Sequence, residues 1–86
     1  MTDVNNTLKE RGGRYGTMKK NGEVSQLMKR SMRVGTNWDK LTYDKKESLE
    51  MICHKISRIV NGDPEYADSW HDIAGYAKLI EDTLEK

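Results

Sequence analysis

Between Thr42 and Gly62 the chain carries the signature of one long helix, and whatever else it forms must pack against that rod. Leu49, Ile52, Cys53, Ile56, Ile59 and Val60 fall within one broad face at the helical period. Thr42 is a good N-cap, Asp44 suits the first turn, and Gly62 follows the last periodic residue. Asp63-Pro64 then resets the backbone, with Asp63 as cap and the chain's single proline at a first helical position. Beyond it Trp70, Ile73, Ala77, Ile80 and Leu84 form a second stripe, on a helix that begins either at Pro64 or at Asp68.

The N-terminal half is less regular. Val4 to Arg11 reads as a short helix ending at Gly12-Gly13, and Arg11 to Gly16 reads as a glycine-dense loop. A further helix is predicted from near Gly22 to Val34, with Val24, Leu27, Met28 and Met32 as its apolar stripe and Gly35 as its C′ residue. Thr36 to Leu41 reads as a connector with Trp38 tucked against the core. Period-two alternation is scarce, so the predicted class is all-α. The expected architecture is a small helical bundle with a C-terminal helical hairpin, about 42–61 and 64–85, crossed by the N-terminal half.

Eighty-six residues make one domain, 1–86, with residues 1–7 open to disorder. The chain is 35% hydrophobic and 34% charged and has no Phe, so its core must be lean and oligomerisation is expected to complete it. A net charge of +1 argues against general nucleic-acid binding, although residues 8–33 hold eight Lys and Arg against two Glu. One cysteine excludes an internal disulfide and fits a reducing compartment. No apolar run reaches the length of a membrane span, and the N-terminus lacks a signal-peptide core.

Four carboxylates carry the chemical interest. Glu47 and Glu50 lie three apart on the long helix, and Asp68 and Asp72 lie four apart on the next, so each pair shares a helical face. On antiparallel helices the pairs can converge on a hard divalent ion such as Mg²⁺. The plainer reading makes Glu50, His54 and Arg58 a solvated, pair-stabilised stripe and Asp68 a helix N-cap. Gly75 and Leu79, on the face of Asp68 and Asp72, predict that this flank also packs against something. Cys53, His54 and His71 lack zinc-site spacing, and Cys53 reads as core. The Arg11–Gly16 loop, with two arginines and Tyr15, either wraps an anion or is an ordinary turn.

The pattern Glu10-Arg11-Gly12-x-x-Tyr15-Gly16, then Glu47-x-x-Glu50-Met-Ile-x-His54-Lys55-Ile56-x-Arg58-Ile59, resembles a family of small, mostly uncharacterised tailed-phage proteins. The likeness continues through Asn61-Gly-Asp-Pro64 and Tyr66-x-Asp68-Ser-Trp70-x-Asp72-Ile-Ala-Gly75-Tyr76 and spans residues 8 to 84. It implies expression in the cytoplasm of a bacterial host. More distantly, Glu47-x-x-Glu50 with Asp68 and Asp72 is similar to the acidic motifs of the MazG-type all-α nucleotide pyrophosphohydrolases, although the second spacing is four rather than three. That resemblance implies Mg²⁺ held by Glu47, Glu50, Asp68 and Asp72, with Glu47 and Glu50 catalytic. Arg11, Arg14, Tyr15, Lys55 and Arg58 would then bind a (d)NTP or another phosphate-bearing molecule. The alternative is a non-enzymatic accessory protein that binds a host protein through the basic N-terminal half and Met28 and Met32.

Overall fold

The computed structural model describes residues 3–84, excluding the side chains of Asp3, Asn5, Asn6, Leu8 and Arg11. Among those residues there are four α-helices and no strand: α1 (Asp3–Tyr15), α2 (Met18–Arg33), α3 (Tyr43–Asn61) and α4 (Ala67–Glu81). A single 3₁₀ turn, Trp38–Lys40, joins α2 to α3. The all-α expectation is met, and α3 is the axis of the molecule.

The predicted break at Gly12-Gly13 does not occur, because α1 runs through both glycines to Tyr15. Two interior glycines weaken an isolated helix by roughly 1 kcal/mol each. Tertiary contacts offset that cost at the end of α1, where the chain supplies partners for carbonyls that a helix leaves unbonded. The Arg14 carbonyl accepts from the Asp63 amide at 2.8 Å, and the Tyr15 carbonyl accepts from Asn21 Nδ2 at 2.6 Å. Gly16, at φ +83°, then turns the chain sharply.

α2 begins four residues earlier than the sequence suggests. Thr17 caps it, its hydroxyl accepting from the Lys20 amide at 3.2 Å. α4 begins at Ala67 after a short turn at Asp63–Tyr66, so Asp68 lies in its first turn rather than at the cap. Trp38 lies under the Lys46 ammonium, 5.7 Å from its ring centroid, against the first turn of α3 rather than in the core.

α2 and α4 pack on opposite sides of α3 and make no extensive contact with each other. On one side Asn21 meets Asn61 and Met32 meets Cys53, with Nδ2–Oδ1 and Sγ–Sδ separations of 3.1 and 3.7 Å. On the other, Ser48 Oγ donates to the Tyr76 carbonyl at 2.9 Å, and Lys55 pairs with Asp72 at 2.8 Å. Both seams are lined by small residues. Ser25, Ser48, Ser57 and Ser69 are all buried, which lets the helix backbones approach closely.

This arrangement encloses little. Among the described residues only Cys53 and Ile59 are buried apolar side chains. The stripes expected to face inward are split. Ile52, Ile56, Ile73 and Ile80 are half-buried, whereas Leu49, Val60, Trp70, Ala77 and Leu84 are exposed. With α2 and α4 at opposite sides of α3, no third helix closes over either stripe. The radius of gyration is 15.0 Å, against about 12 Å for a compact chain of this length.

Candidate functional site

Two ion pairs define one face of the α2–α3–α4 layer. Arg33 of α2 reaches Glu50 of α3 at 3.5 Å, and Lys55 of α3 reaches Asp72 of α4 at 2.8 Å. Between them on α3 lie His54 and Arg58, so polar groups of α3 run from one seam to the other. Hydrogen bonding from Lys55 is the main cause holding the Asp72 carboxyl below its usual range, with further lowering from the charges of Lys55, His71 and Arg58.

At one end of that face the α1–α2 corner sits on the C-terminal turn of α3. The seating depends on two glycines. A Cβ at Gly16 would lie 2.7 Å from both Cβ and the carbonyl oxygen of Asn61. A Cβ at Gly62 would press into the Arg14 and Tyr15 backbone, 2.6 Å from the Tyr15 carbonyl carbon. Asn21 locks the corner from inside: it donates to the Tyr15 carbonyl and accepts from Asn61 Nδ2 at 3.1 Å. The Tyr15 ring stands edge-on to Tyr66, with centroids 5.6 Å apart, and the Arg58 guanidinium covers its face at 4.6 Å.

The corner leaves a cleft of about 320 Å³ between itself and α3. Tyr15, Gly16, Thr17 and Met18 form one wall, Asn21 lies in the lining, and His54 and Arg58 come from α3. Its chemistry suits an anion. The first turn of α2 carries unbonded backbone amides and contains no acidic residue. Arg58 forms no ion pair among the described residues. Burial, and then the charges of Arg58, Lys29 and Lys55, hold His54 below the ordinary imidazole value of 6.5. Burial disfavours either charge there, whereas the neighbouring cations favour a negative one.

The sequence-predicted residues are distributed unevenly around this cleft. Tyr15 and Arg58 line it. Arg14 does not: it pairs with Glu10 at 2.6 Å and lies over the Tyr66 ring. Lys55 is committed to Asp72. The Arg11 side chain falls outside the described residues. His54, Asn21 and the start of α2 join the site unannounced by the glycine-rich motif. The one available signal was Gly16-Thr17, a left-handed turn residue followed by an N-cap.

The carboxylates do not converge. Among the described residues no three His, Cys, Asp or Glu side chains come together as a metal site. Glu47 is exposed beside Tyr76 and Leu79, Glu50 is tied to Arg33, Asp72 is tied to Lys55, and Asp68 is exposed in the first turn of α4. The physical reason is the placement of Lys55 and Arg33 at the two seams, where each neutralises one acid before a metal can gather them. The flank of α4 expected to be covered is open. A Cβ at Gly75 would meet nothing within 4 Å, and Leu79 is exposed. These donors do not fit a magnesium ion held by one chain. Met32, expected on a contact surface, turns instead toward the buried thiol of Cys53. No helix among the described residues is long and apolar enough to cross a membrane.

Titration of His54 provides a direct probe of the cleft. Its depressed pKa contributes stability that is present above the unfolded value near 6.5 and is lost as pH falls through the lower folded value. An anion seated beside it favours the imidazolium. Adding tripolyphosphate is therefore expected to move the His54 ring resonances to a higher apparent pKa in an NMR titration. An unmoved His54 curve would show the cleft to be indifferent to anions.

Residues 1–84 match the model of a family described as a domain of unknown function, DUF6378, and the chain belongs to that family. No curated protein and no solved structure matches the chain.

Proposed function

We propose, for this member of a family without an assigned activity, that the chain binds a phosphate-bearing small molecule of nucleotide size in the cleft between the α1–α2 corner and α3. One observation carries the reading. An arginine without a carboxylate partner among the described residues, a half-buried histidine near the charges of Arg58 and Lys29, and a helix N-terminus free of acidic residues line the same 320 Å³ space. Arg58 is the principal phosphate contact, held in position by the Tyr15 ring rather than by a salt bridge. His54 adds a donor that gains a proton as the ligand arrives. The α2 amides supply fixed dipoles directed at the anion. A volume of this order lies at the lower end of ligand pockets and suits one phosphate group with part of a nucleoside.

Because the acids do not assemble a metal site, binding rests on these cationic and backbone groups. Isothermal titration with (d)NTPs and with tripolyphosphate, in EDTA and then with Mg²⁺, tests this. Binding is expected in EDTA, with a ligand-dependent rise in melting temperature; at a hundredfold excess over Kd the stabilisation is about 2.7 kcal/mol. Binding that appears only with Mg²⁺ would return the carboxylates to the centre of the site and overturn the proposal.

A further inference from the structure

The opposite face of the helical layer has a different character. The Lys55–Asp72 and Arg33–Glu50 pairs place the polar flanks of all three helices on one side, so their apolar flanks share the other. On α3, Leu49, Ile56 and Val60 fall within about 40° of one another at 100° per residue. On α4, Trp70 and Ala77 lie seven residues apart and within about 20° of one another. Leu49 is 39% exposed, Val60 63% and Trp70 55%. Spacings of seven place side chains on a line that a facing helix can cover, as in bundles.

We infer that this face docks a second copy of the chain, so that α3 and α4 of each subunit form the core of a two-layer helical bundle. The occupant follows from area and architecture. The chain exposes 6,569 Å², whereas a compact monomer of its mass exposes roughly 5,200 Å². An excess of that size over the whole chain leaves room for the ~800 Å² per partner that a standard stable interface buries. Domains bury helices between two layers, and this chain supplies one. A twofold pairing provides the other from the same sequence, meeting apolar stripe with apolar stripe. The ligand cleft lies on the polar face, so this inference stands independently of the proposed function.

Sedimentation equilibrium of the full chain is expected to give twice the chain mass, with a melting temperature that rises with protein concentration. Val60→Glu places a charge on the seam at a position already exposed in the single chain. It should weaken self-association by at least tenfold, leave helicity in place and shift Trp70 emission to the red. Leu79→Glu, exposed on the other flank of α4, should leave the dimer unchanged. If Val60→Glu also loses helicity, the concentration-dependent melting of the native chain decides. A native chain that stays monomeric at its highest soluble concentration overturns the inference. So does a dimer broken by Leu79→Glu and not by Val60→Glu.

Discussion

Gly62→Ala is expected to destabilise the protein by about 2–3 kcal/mol, the cost of overpacking a site that cannot relax. For a domain of this size that corresponds to a melting temperature lowered by roughly 10–20 °C. The added methyl would meet backbone: the carbonyl carbons of Tyr15 and Arg14 lie 2.6 and 2.7 Å from its position. Backbone cannot rotate away as a side-chain tip can. The α1–α2 corner must lift, breaking the bond from the Asp63 amide to the Arg14 carbonyl. Gly16→Ala should behave alike, since it adds the strain of φ +83° to a clash with Asn61. The contrasting substitution is Gly75→Ala, where the new methyl meets open space within a helix. That change should stabilise the chain by up to ~1 kcal/mol. Thermal denaturation of the three variants tests the corner. A Gly62→Ala protein as stable as the parent would mean the corner is not seated on α3 as described.

Arg58→Gln is expected to reduce affinity for a phosphate-bearing ligand by ten- to a hundredfold, the loss of one charge-assisted contact of about 1.5–3 kcal/mol. Gln retains a polar tip and much of the stem, so helix content should persist. Arg58→Lys should fail to restore affinity, because an ammonium does not reproduce the planar stacking of the guanidinium on Tyr15 at 4.6 Å. Titration calorimetry with circular dichroism separates the two effects. Full affinity in Arg58→Gln would remove this residue, and with it the cleft, from the binding reading. The matching substitution Glu50→Gln should leave affinity unchanged, since Glu50 faces Arg33 at the other end of the polar face.

Local signals were legible wherever a segment's own pattern decided its state. α3 starts after Thr42 and ends at Gly62 as its cap residues and periodicity imply, and Cys53 is buried in the apolar seam as its position among Ile52 and Ile56 suggests. Tyr15 and Arg58, both candidate anion contacts by sequence, do meet. The failures share one cause. Gly12 and Gly13 are helix breakers by propensity, yet α1 continues because Asn21 and Asp63, remote in sequence, bond its terminal carbonyls. Glu47 with Glu50, and Asp68 with Asp72, share a helical face by spacing, but spacing along a helix does not reveal that Arg33 lies across from Glu50 and Lys55 across from Asp72.

The amino-acid sequence by itself determined the class of the protein, the long central helix, and an apolar face on each of α3 and α4. Those depend on residues within a few turns of one another, so their physics is local. Tertiary structure alone decided that α2 and α4 flank α3 on opposite sides, that Arg33 pairs with Glu50 and Lys55 with Asp72, and that a cleft opens over His54 and Arg58. These outcomes turn on the rotation of each helix about its own axis. That rotation is set by a few contacts between distant residues, the buried serines and the Gly16 and Gly62 seats among them, and no periodicity encodes it.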